Sequence, residues 1–115
     1  MMKQDSLEMF KGTLDLVILT AVSWTSMHGY EISRQIRLRT KEAFALEEGA
    51  LYPALRRLEK KGWLRAEWGV TDTGREAKFY DLTAEGRNQL ALKMQTWERY
   101  VEAMGRVIAA RGPVR

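Results

Sequence analysis

The chain has 115 residues, enough for one domain with a modest core. It is 45% hydrophobic and 30% charged, and 19 Lys+Arg against 15 Asp+Glu leave a formal net charge of +4. The sequence pI near 9.6 leans toward nucleic acid. The absence of cysteine excludes disulfides and thiolate metal sites, and a single histidine, His28, cannot build a His-rich metal centre.

Met1–Phe10 reads as a frayed or loosely docked N-terminus. Thr13 is placed to cap the helix that follows, with Asp15 in its first turn, where a negative charge is favourable. Leu14–Trp24 is apolar nearly all round and reads as a central buried helix, with Trp24 in the core. It is too short to span a bilayer, and the charges of Asp5, Glu8 and Lys11 before it do not make a signal peptide, so the cytoplasm is the expected location.

Met27-His28-Gly29 reads as a break, with His28 a turn residue. Tyr30–Arg39 is a second helix, with Ile32 and Ile36 one turn apart. Thr40–Glu48 is a connector whose Phe44 and Leu46 turn inward. A third helix begins near Gly49 and runs to about Lys61, with Pro53 inside or just past its first turn and Gly62 ending it. Leu51, Leu55 and Leu58 form its apolar stripe, while Arg56, Arg57, Lys60 and Lys61 lie off that stripe. Trp63–Trp68 and Glu76–Leu82 are strands joined by the turn-rich Val70–Arg75, a β-hairpin that Trp63 and Trp68 would pack onto the domain. Thr83 caps a last helix that continues to about Ala110.

The order helix, helix, helix, hairpin, helix is that of a winged helix-turn-helix with an added C-terminal helix: mainly α with a small β-hairpin. We expect residues 1–82 to form the winged unit and residues 83–115 a dimerisation helix, the two making one compact body. Leu90, Met94, Trp97, Val101, Met104 and Ile108 alternate at spacings of four and three, a seam sustained for nearly three heptads and roughly 27 Å long. Such a stripe packs either on its own domain or on a partner helix. Its length favours a partner.

A short helix with one side buried and a basic side free suits a DNA major groove. Arg56, Arg57 and Lys60 on that helix, with Arg75 and Lys78 on the hairpin, are candidates to touch double-stranded DNA. Arginine can read guanine through two hydrogen bonds, and lysine supplies charge to phosphate. Read alone, the same residues describe the solvated face of a helix. Tyr30 and Tyr52 near helix starts suit either phosphate contact or the core with a wet hydroxyl.

Leu51-Tyr52-Pro53-Ala54-Leu55-Arg56-Arg57-Leu58-Glu59, followed by Lys61-Gly62-Trp63-Leu64, resembles the recognition-helix signature of PadR-type transcriptional regulators. Lys78-Phe79-Tyr80-Asp81-Leu82-Thr83, then Glu85-Gly86, is similar to the family's wing strand and the start of its last helix. His28-Gly29-Tyr30-Glu31-Ile32 is similar to the start of its second helix. The likeness runs from about Lys11 to Ile108 and points to the short subfamily with one C-terminal helix. It implies a homodimeric repressor of an inverted-repeat operator, with no metal or cofactor, released by a small aromatic effector. It also places Trp97 on the ligand at the dimer centre, with the adaptable Met94 one turn away, while the residues read alone suit core packing of Trp97 equally well. Two departures stand out. Glu76 and Asp81 sit among the wing cations, and Ala50 stands where relatives often have Ser or Thr, removing a polar contact from the DNA-facing helix start. No catalytic constellation is present, and an enzyme is not expected. The competing function is a winged-helix module that docks on another protein.

Overall fold

The computed structural model describes residues 7–10 and 12–115. Its elements are α1 (Thr13–Trp24), β1 (Met27–His28), α2 (Gly29–Arg39), α3 (Glu48–Lys60), β2 (Leu64–Val70), β3 (Glu76–Leu82) and α4 (Ala84–Ala109). The fold is mainly α with a small sheet, as the sequence implied. The expected fraying of the N-terminus falls partly on residues 1–6, outside the described residues. At Leu7 the chain is docked, its N–H donating to the Ala43 carbonyl at 2.8 Å.

Helix α1 occupies the centre and touches α2, α3, α4 and β3. Its Ile18, Leu19, Ala21 and Val22 are buried with Ile32 and Ile36 of α2, Leu51, Ala54, Leu55 and Leu58 of α3, and Leu64 and Tyr80 of the hairpin. Phe44 and Leu46 pack against this core from the connector. Two expectations for α1 fail. Thr13 is not the cap: Gly12, at φ 88°, holds that position, and the Thr13 hydroxyl donates back to the Phe10 carbonyl at 2.6 Å. Trp24 is not core. It is 50% exposed at the last residue of α1, with the Arg39 guanidinium 5.3 Å from its ring centroid. An all-apolar helix does not reveal which of its ends outruns the core.

Met27-His28 is not a simple break. It forms a third strand, antiparallel to β3, with Met27 opposite Tyr80 and His28 opposite Phe79. The sheet order is β1-β3-β2. His28 then caps α2, its Nδ1 accepting the Glu31 amide at 3.3 Å. Two residues are too few to show a strand period, so the pairing is set by the chain brought alongside β3. Pro53 is the sixth residue of α3, just past its first turn.

The hairpin pairs from Leu64 opposite Leu82 to Val70 opposite Glu76. Strand β2 thus extends two residues past the expected Trp68. The chain then turns straight into α4 through a tight junction. Thr83 donates its amide to the Trp63 carbonyl at 3.1 Å and its hydroxyl to the Gly62 carbonyl at 2.6 Å. The same hydroxyl accepts the Gly86 amide at 3.0 Å, which makes Thr83 the N-cap, as expected. Gly86 sits against the backbone of Trp63: a Cβ there would overlap the Trp63 carbonyl oxygen.

Because backbone rather than a flexible side chain blocks that Cβ, Gly86→Ala must displace α4. We expect it to lower stability by about 1–3 kcal/mol, a fall in Tm on the order of 10 °C, in a thermal melt followed by circular dichroism. A melt matching that of the wild type would show that the junction yields freely.

Candidate nucleic-acid interface

The open groove between α2, α3 and the hairpin gathers five of the candidate residues. Tyr30 comes from α2, Tyr52 and Arg56 from α3, and Arg75 and Lys78 from the hairpin. Local structure explains the gathering. The apolar stripe of α3 is buried, so Tyr52 and Arg56, one turn apart, are left facing out. Gly29 lets α2 approach α3 closely, since a Cβ on it would lie 2.7 Å from the Tyr52 ring. Tyr30 is 63% exposed and stacks on His28, whose ring meets Phe79 edge-on at 5.2 Å. Tyr80 forms part of the floor. Burial lifts its phenol above the usual value, helped by Glu59 and Tyr52 and opposed by Arg56, so it stays a protonated donor.

The other candidates fall elsewhere. Ala50 and Lys60 are exposed on α3 but do not line the groove. Arg57 points away from it. Its guanidinium holds Asp15 of α1 through two hydrogen bonds, at 2.7 and 2.8 Å. Burial raises the Asp15 carboxyl, but hydrogen bonding and charge from Arg57, aided by Lys93 and Lys61, outweigh it and leave the pKa below its ordinary value. Arg56 and Arg57 are neighbours in sequence with different surroundings, because successive helical residues are about 100° apart.

Two further cations in the groove are engaged. Lys78 reaches Glu59 of α3 at 3.3 Å, and Arg34 reaches Glu31 at 2.9 Å. Arg34 was missed as a groove residue, although its place one turn after Tyr30 was visible in the sequence. Among the described residues, Arg56 and Arg75 make no ion pair. The lining as a whole holds four cations and five carboxylates, so the groove is close to neutral although the chain carries +4.

On α4 one face has two fates. Gly86 is buried and Leu90 packs on the domain's own core, so Leu90 is not purely a seam residue. The Lys93 ammonium lies 5.5 Å from the Trp63 ring, with Lys61 at 4.6 Å from the same ring. Beyond these turns the helix has outrun the domain. Met94, Trp97, Val101, Met104 and Ile108 are all exposed. Tyr100 and Val107, seven residues apart, widen the stripe, and Tyr100 stacks on Trp97 at 6.0 Å. Both were legible as an apolar repeat beside the seam. Trp63 is partly buried against the core, but Trp68 does not pack the hairpin onto the domain: it is 71% exposed.

A helix-turn-helix whose exposed helical face meets a β-hairpin wing is a winged-helix nucleic-acid-binding architecture. The family model for the transcriptional regulator PadR-like family matches residues 18–92, and the chain belongs to that family. A transcriptional regulator from Clostridium thermocellum is 32% identical, aligning over 84% of this chain and 93% of its own with a TM-score of 0.76. A PadR family transcription regulator from Clostridium difficile is 30% identical over 85% of this chain and all of its own, with a TM-score of 0.73. An uncharacterised protein from Lysinibacillus sphaericus is 34% identical, covering 83% of this chain and 87% of its own. The protein is a DNA-binding transcriptional regulator and not an enzyme.

The Asp15–Arg57 pair gives a pH-dependent expectation. A carboxyl whose folded pKa is depressed contributes stability above its unfolded pKa of about 3.9, and loses it as pH falls through the folded value. Asp15→Asn should therefore cost about 1 kcal/mol at neutral pH, a modest figure because the guanidinium is half exposed. Urea unfolding should show the two proteins converging as pH falls below the unfolded value and through the lower folded one.

Proposed function

We propose that the protein is a homodimeric repressor that grips an inverted-repeat operator with α3 and the wing, and that a flat aromatic effector at the dimer centre releases it. The observation that carries this reading is the bare apolar half of α4. A helix of 26 residues, about 39 Å long, presents a stripe from Met94 to Ile108 that its own domain does not cover. An exposed stripe of that length, with period near 3.5, matches a second copy of itself in pitch and polarity. Two recognition helices would then meet half-sites about one helical turn, roughly 10 base pairs, apart.

Within this reading Arg56 and Arg75 are the primary DNA cations, since Arg57 is committed to Asp15. Tyr30 and Tyr52 offer hydroxyls to phosphate, Lys78 exchanges Glu59 for phosphate, and Ala50 and Lys60 flank the contact. Arg56→Ala should weaken binding to a duplex selected by the wild-type protein from a random pool by about 1–3 kcal/mol. Arg57→Ala should leave that affinity near wild type while lowering stability. The reverse pattern, measured by fluorescence anisotropy and urea unfolding, would reassign the DNA-facing side of α3.

Val101→Asp places a charge in the apolar stripe. Sedimentation should report a dimer for the wild type and a monomer for the variant. A monomeric wild type at micromolar concentration would overturn the dimer.

The effector reading is supported by Trp97, stacked on Tyr100 beside the flexible Met94. Two such pairs across a two-fold axis would offer flat apolar surfaces to a planar ring. Release requires the ligand to prefer a dimer whose recognition helices are spaced wrongly for the operator. A hundredfold loss of DNA affinity corresponds to about 2.7 kcal/mol of coupling. Planar cationic dyes should quench wild-type fluorescence and loosen the operator, and Trp97→Ala should abolish both. Dyes acting alike on both proteins would leave Trp97 with a packing role.

A further inference from the structure

We propose that Trp68 is the wing's apolar anchor on DNA, packing its indole against a deoxyribose of the backbone strand that borders the groove filled by α3. The inference rests on the DNA-binding reading and assigns a contact that the charged residues do not supply.

Alternation along β2 puts Trp68 on the same face as Leu64 and Ala66, which join the core. By that face's end the core has run out, so Trp68 and Val70 continue it into the open, 71% and 66% exposed. Trp68 is registered opposite Lys78, and Lys78 reaches across to Glu59 on α3. Trp68 therefore stands beside a side chain that spans the groove, and it lines that groove together with Tyr52 and Arg56. Any polyanion lying along α3 and held by Arg56 and Arg75 meets the indole at its edge.

Charge alone gives this groove little hold, because its cations and carboxylates nearly cancel. An apolar contact adds affinity without releasing counterions. The apolar surface on a DNA backbone is the sugar, whose carbon face repeats at every nucleotide. The contact is thus sequence-independent: it sets register and carries no base readout.

The test compares wild type, Trp68→Ala and Trp68→Phe on the pool-selected duplex and on a mixed-sequence duplex, by fluorescence anisotropy across a salt series. Expected is a loss of about tenfold on both duplexes for Trp68→Ala, with the log–log salt slope unchanged and most affinity kept in Trp68→Phe. Because the ring is exposed, the melting temperature should hold. Unaltered affinity in Trp68→Ala overturns the assignment. So does a loss confined to the selected duplex, which would mark a base contact, or a shallower salt slope, which would mark an effect on phosphate-bound cations. A change in sedimenting mass would give this face to a second copy of the chain instead. A random pool from which the wild-type protein enriches no duplex at low salt overturns the proposed operator grip itself.

Discussion

One backbone contact sets the geometry on which everything else depends. The carbonyl of Trp63, two residues past Lys61, the C-cap of α3, accepts the Thr83 amide and lies against Gly86. The end of α3 and the start of α4 are therefore joined by main chain, not by adjustable side chains. Thr83 adds a hydroxyl bond to Gly62 while capping α4. Lys61 and Lys93 place their charges beside the indole of Trp63, so the same junction is braced from both helices. A main-chain junction of this kind leaves little slack between α3 and α4, as the proposed coupling of effector to operator requires.

The charges on α3 divide in the same spirit. Arg57 and Asp15 tie the recognition helix to the central helix, while Arg56, one residue earlier, stays in the groove. The helix is held to the core by one cation and presents another. The basic stretch of α3 leaves only Arg56 in a groove that is nearly neutral, because Arg57 and Lys60 fall outside it and five carboxylates share the lining with four cations. On the proposed reading, affinity for DNA leans on hydroxyls and apolar surface as well as on phosphate neutralisation, and contacts of that kind respond less to salt.

Helix α4 divides along its length. Its first turns belong to the domain, through Gly86 and Leu90, and its remainder is bare. The division follows from size: a domain with an α1 of 12 residues cannot cover a helix of 26. Of the two readings of the heptad stripe, packing at home holds for Leu90, and the bare remainder is the part that the proposed dimer would cover.

The sequence by itself determined the order of the four helices and the hairpin, the apolar faces of α2 and α3, the extent of β3 and the Thr83 cap, because each rests on local periodicity or on a residue with restricted backbone habits. It also carried the family resemblance, since that lies in contiguous runs such as Leu51–Glu59. Only the tertiary structure decided the third strand at Met27-His28, the capping role of His28, the exposure of Trp24 and Trp68, and the diversion of Arg57 to Asp15, 42 positions away. Each of these depends on what lies opposite a residue in space. A pattern repeated along the chain fixes which side of an element is buried, but where the covering stops, and which distant carboxylate meets a given cation, is set by how the elements stack.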